Sequence, residues 1–149
     1  SMTMAINSVS GDPFNTSSGS ASLTMTFNHV TVGTQQSVDG TISLSISQTN
    51  STNATASLTF TNLTTTSPAG SVTFGNLSFN ATNVGSSGTL TIAGDVYYSK
   101  YAGYVLISTP TTVNIDSSGN ITGTILFTGK NNTKARIVGL GNSTSLLIE

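Results

Sequence analysis

Apolar residues recur at every second position through most of this chain, the period of a strand with one face turned away from water. Leu23, Met25 and Phe27 share one parity while Ser22, Thr24 and Thr26 take the other. His29 continues the apolar parity and is expected to point inward. Val38, Ile42, Leu44 and Ile46 form the next set, all even. Asp39-Gly40 is a hairpin signal, but the unbroken parity places it inside the strand and leaves Gly33-Thr34-Gln35-Gln36 to turn the chain. Ala54, Ala56, Leu58 and Phe60 make a third strand. After Ser67-Pro68-Ala69-Gly70, Val72 and Phe74 are followed by a switch of parity to Leu77 and Phe79. A slip of one residue sends every later side chain to the other face, so a bulge or tight bend at Gly75 is the economical explanation.

Leu90, Ile92, Val96 and Tyr98 lead into the segment Asp95–Pro110, which holds all four tyrosines and Lys100. Ser99 to Gly103 reads as a turn. Tyr104-Val105-Leu106-Ile107 is apolar on both parities, the mark of a strand covered on both faces, and Pro110 ends it or marks an edge. Val113 and Ile115, then Ile121, Ile125 and Phe127, then Ala135 and Ile137, then Leu146 and Ile148 complete the pattern, with turns at 116–120, 129–132 and 139–142. No helical period occurs. A formula Gly-[Ser/Thr]-apolar-x-apolar starts at Gly40, Gly70, Gly88 and Gly123, at intervals of 30, 18 and 35 residues. A solenoid needs a constant period, so these are hairpins of similar build. The expected fold is all-β: an antiparallel meander of about nine or ten strands, forming a sandwich or an open or partly closed barrel, one face packed and the other hydroxylated. Residues 1–19 read as a turn-rich, flexible lead-in, with Met4, Ile6 and Phe14 as anchors to the sheet. Residues 20–149 read as a single all-β domain.

Composition narrows the picture further. The chain has 149 residues, enough for a real core. Only 6% are charged, with a net charge of −1 and four basic residues. That excludes the basic footprint of a nucleic-acid binder. No run is long and apolar enough for a membrane-spanning helix, and no signal peptide is present. The absence of cysteine removes disulfides and thiolate chemistry. Hydroxyl-rich, charge-poor strands favour a location outside the cytoplasm.

Catalytic constellations are thin. His29 is the sole histidine, and no nucleophile elbow accompanies it. Satisfying a local hydrogen bond is its expected role. Asp12, Asp39, Asp95, Asp116 and Glu149 are dispersed, without the D-x-D loop of a calcium site or paired catalytic carboxylates. Neither metal nor cofactor is expected. Gly139-Leu140-Gly141-Asn142 lacks the third glycine and the helix of a dinucleotide loop. Nine Asn-x-Ser/Thr sequons, Asn15 among them, matter only in a host that glycosylates exported proteins. In the tyrosine segment, Tyr98 and Tyr104 are expected at the rim of the core. Tyr97, Tyr101 and Lys100 are the candidate ligand-binding surface, suited to a sugar or another flat apolar ligand.

DVYYSKYAGYVLISTPTTVNI, then GNITGTILFTGKNNTKARI, then GNSTSLLIE resembles the C-terminal half of a group of exported bacterial β-rich proteins, many of them lipoprotein-like. Their pattern runs close to G-x-x-Y-x-x-x-x-G-Y-V-x-[ILV]-x-T-P, followed by T-G-x-x-x-[ST]-K-A-[RK]-[ILV]. FNHVTVGTQQSVDGTISLSI is similar to their upstream segment. The chain departs from the pattern at Asp95 and at Ser99-Lys100. The resemblance implies fold and location and no mechanism. Its matched basic pair, Lys134 and Arg136, alternates with Ala135 and Ile137 and should lie opposite the apolar face. Guarding an edge strand is the preferred reading over contact with an anion or lipid headgroup.

The expectation is a non-enzymatic, exported cell-envelope protein, periplasmic, outer-membrane-associated or at the cell surface, tethered through a segment outside this sequence. It would carry a small apolar ligand or serve as a surface interaction module. The competing reading is a self-associating filament or adhesin subunit. A closed apolar cavity above about 300 Å³ would favour the carrier and a filled core would exclude it.

Overall fold

The computed structural model describes residues 1–12, 18–33, 35–101 and 103–148. The anchor expected at Phe14, the sequon at Asn15 and the carboxylate of Glu149 lie outside the described residues. Ten strands follow one another: β1 (Met2–Gly11), β2 (Gly19–Val32), β3 (Gln36–Asn50), β4 (Asn53–Ser67), β5 (Gly70–Val84), β6 (Ser87–Tyr98), β7 (Gly103–Ile115), β8 (Ile121–Thr128), β9 (Lys134–Gly141) and β10 (Thr144–Ile148). Each pairs antiparallel with the next, in the order β1 to β10, as one meander sheet that is not closed. Short 3₁₀ turns, Ser99–Tyr101 and Lys130–Asn132, stand before β7 and β9. Residues 2–11, placed by sequence in the lead-in, form strand β1; Met4 and Ile6 pair with Met25 and Leu23 of β2.

The connections explain why there is one sheet. Ser51-Thr52, Pro68-Ala69, Gly85-Ser86 and Asn142-Ser143 are two-residue links. Links this short force the next strand to lie beside the last one, which leaves no crossover to a second layer. The longest strands, β3, β4 and β5, have 15 residues each and span about 50 Å at 3.3 Å per residue.

A line of bulges crosses these strands. His29, Asn62 and Asn76 hold left-handed backbone, φ 47°, 48° and 48°. The register slips at Phe27/Val30, at Asp39/Thr41 and at Gly75/Ser78. Asparagine tolerates this region because its short side chain can bond locally. A glycine faces two of the bulges. A β-carbon on Gly40 would stand 2.5 Å from the Asn62 carbonyl oxygen, and one on Gly94 would stand 2.4 Å from the Leu77 Cα. The parity switch read at Gly75 is therefore one part of a crease running across the middle of the sheet, and such bulges bend and twist it.

The core is correspondingly slight. Among the described residues only Leu63 (7% exposed) and Leu77 (4%) are buried hydrophobics, and both flank the bulges. Ser57 and Thr59 on one face of β4 are half-buried, like Leu58 and Phe60 on the other. Among the described residues neither face has a second layer over it. The expectation of one packed face is corrected here: the apolar face exists, but nothing among the described residues packs on it.

Candidate functional site

The apolar face is assembled by register. Ile6, Leu23, Leu44, Leu58, Phe79 and Ile92 lie side by side across six consecutive strands. The neighbouring row is Met4, Met25, Ile42, Phe60 and Leu77. Beyond the crease, Leu63, Phe74, Val96 and Val105 continue the face, and Ile107, Phe127, Ala135 and Ile148 carry it to β10. A cluster of half-buried rings lies at its middle: Phe60 and Phe74 are 5.8 Å apart between centroids, and Phe60 and Phe79 are 6.1 Å apart, edge to face. Such contacts add about 0.5–1.5 kcal/mol beyond burial.

Toward the β1 edge the face sinks into an open hollow of about 240 Å³, walled by Met4, Ile6, Val9, Leu23, Leu44 and Ile46. At the other end of β3 to β6 a second hollow of about 300 Å³ is mixed in character, with Val38, Val72 and Tyr98 beside Gln36 and Thr66. Across β1 to β6 the reverse face is hydroxyl-lined and hydrogen-bonded between strands, while over β7 to β10 it also carries Leu106, Leu126, Leu140 and Leu147. Thr64 and Thr73 hydroxyls lie 2.9 Å apart, Thr82 and Thr89 2.6 Å, and Ser8 and Ser22 2.8 Å.

The structure separates the three residues proposed from sequence as one binding surface. Tyr98, opposite Val72, stands on the apolar face. Tyr101 meets it edge to face at 5.1 Å, and the Lys100 Nζ lies 5.9 Å from the Tyr101 ring centre. Lys100 and Tyr101 are thus together, at the apolar end of the turn. Tyr97 is directly across from Tyr104 on the hydroxyl side. Tyr104 was expected to face the core; it is 54% exposed. Val105, which pairs with Val96, takes the apolar side in its place. Nor is the run from Tyr104 covered on both faces, since Val105 and Leu106 are also exposed.

His29 was expected to point inward and instead occupies the β2 bulge, with its side chain 72% exposed. Its backbone N–H donates to Asp39 Oδ1 at 2.7 Å, while its Nδ1 stands 3.6 Å from Asp39 Oδ2. The bulge shifts the register after Phe27, so Val30 inherits the apolar side. Asp95 lies over Gly75, with its carboxylate where a β-carbon there would have to sit. Lys134 and Arg136 pair with Thr128 and Leu126, opposite the apolar face as expected. They lie on β9, however, and β10 is the edge, so their charge does not guard an edge strand. Among the described residues no three histidine or carboxylate groups converge as metal ligands, and no helix is long and apolar enough to cross a membrane.

Sequence reasoning missed the face itself as the candidate site, because it assumed a covering layer. The signal was present in the two-residue turns, which tie consecutive strands into one sheet. Comparison with family models, curated proteins and solved structures returned no match to this chain.

Proposed function

We propose that the protein is a non-enzymatic, exported module of the cell envelope that works by docking a partner on the apolar face of its sheet. The observation that carries this reading is an apolar surface ten strands wide with no second layer among the described residues. Monomeric soluble proteins seldom expose a contiguous apolar patch above a few hundred Å², and larger ones mark interaction sites. Export is supported by the hydroxyl-rich, charge-poor composition and by the lipoprotein-like motifs.

A carrier of a small apolar ligand is the second reading, favoured by the all-apolar hollow near β1. That hollow, at about 240 Å³, falls below the roughly 300–1,000 Å³ usual for ligand pockets, and it is open.

An environment-sensitive apolar dye, added to nanomolar protein, tests the docking reading. Leu58→Asp, on the apolar face, should abolish most of the fluorescence gain, while its neighbour Ser57→Asp, on the hydroxyl face, should leave it unchanged. Equal dye binding by both variants would contradict the proposal.

A further inference from the structure

The size of the uncovered surface points to the class of partner. A compact monomer of this mass, 15.2 kDa, exposes about 7,100 Å² by the usual scaling. This chain exposes 8807 Å², a surplus of about 1,700 Å² over that scaling. Obligate homodimer interfaces remove about 1,000–2,500 Å² per chain, so the surplus matches one such interface. A small ligand seated in a hollow of about 240 Å³ would leave most of it bare.

Charge selects among protein partners. Among the described residues no strand places a charged side chain on the face. Asp39, Asp95, Lys134 and Arg136 alternate with apolar-face neighbours and so project from the opposite face. Asp12, Lys100, Asp116 and Lys130 lie outside the strands, Lys100 beside Tyr101 at the border of the face. Two identical uncharged surfaces meet without placing like charges together, and an isologous contact requires one patch to be complementary to itself. This patch holds two distinct apolar features side by side: the Phe60–Phe74–Phe79 ring cluster and the open hollow between β1 and β3. A two-fold axis between them sets each ring cluster over the other copy's hollow.

We infer that the partner is a second copy of this chain, packed apolar face to apolar face as a two-sheet sandwich. The inference rests on the docking reading and adds to it the identity of the partner. The two sheets would lie about 10 Å apart with strands within about 30° of alignment.

Sedimentation equilibrium of the wild-type chain and of Leu58→Asp and Ser57→Asp tests it, with circular dichroism to check that each variant keeps its strands. The wild type and Ser57→Asp are expected at about 30 kDa, twice the 15.2 kDa chain mass. Leu58→Asp is expected to weaken association by about 30-fold or more, as for the loss of an interface hot spot. A wild-type monomer at 100-fold dilutions up to about 100 μM, a concentration two orders above the Kd of ordinary μM contacts, overturns the inference whatever the variants do. A dimer insensitive to Leu58→Asp is held by a strand edge and overturns it equally. In either case, dye binding lost only in Leu58→Asp keeps the docking reading standing with another partner. Dye binding unaffected by both substitutions removes both.

Discussion

The carbonyl oxygen of Asn62 occupies the space a Gly40 side chain would need, 2.5 Å from the ideal β-carbon position. Gly40 has φ +116° and Asn62 φ +48°, so the two residues hold the crease between β3 and β4 from opposite sides. Gly40→Ala meets both the backbone of the next strand and an unfavourable φ. It should cost about 2–3 kcal/mol, read as a lowered urea midpoint. Gly85 provides the control: its φ is +62°, but nothing lies within 4 Å of the added carbon. Gly85→Ala should cost only about 1 kcal/mol. Equal losses at the two sites would mean that the close approach at the crease contributes nothing.

The turn after β7 sets an acid limit. Asp116 Oδ2 accepts from the Asn120 side-chain amide at 2.9 Å, and Oδ1 accepts from the Asn120 and Ser118 backbone N–H groups at 2.9 and 2.8 Å. The Asn120 amide is the largest cause that holds this carboxyl below its ordinary value, followed by the two backbone donors. A depressed carboxyl pKa contributes stability that is present above the unfolded value, near pH 4, and lost as pH falls through the folded one. The urea midpoint of the wild type should therefore approach that of Asp116→Ala between about pH 5 and pH 3. A difference that stays constant over that range would contradict this account of the turn.

Strand identity and the two-face pattern were legible in the chain, because alternation survives in any half-exposed strand. Placement of Asp39-Gly40 inside β3 and the slip at Gly75 followed from parity alone. His29 was misplaced because the bulge beside it shifts parity without a glycine or a gap to mark it; only the pairing of Val30 with Val38 reveals the shift. Tyr104 was misplaced for a related reason. In a run apolar on both parities, the side that faces the apolar surface is set by the partner strand, here Val96 against Val105. The missing layer was hidden differently: alternation reports that one face avoids polar residues, and says nothing of what covers it.

The Tyr98–Tyr101 contact is a local brace of the turn. Tyr101 is 71% exposed and touches Tyr98 through its ring. Tyr101→Ala should lower stability by about 0.5–1 kcal/mol, and Tyr101→Phe by almost nothing, since the edge-to-face contact needs no hydroxyl. Equal losses in thermal unfolding would assign the contribution to the hydroxyl and contradict the ring contact.

The central claim is that a second copy of the chain covers the apolar face. Hydroxyl-radical footprinting across a concentration series tests it directly, because the two faces carry their own reporters. Met4, Met25 and Phe79 report on the apolar face, and Tyr97 and Tyr104 on the hydroxyl face. Oxidation of Met4, Met25 and Phe79 should fall severalfold as the chain is concentrated, with Tyr97 and Tyr104 unchanged. Unaltered oxidation of the methionines at every concentration, or protection of the tyrosines in their place, would contradict it.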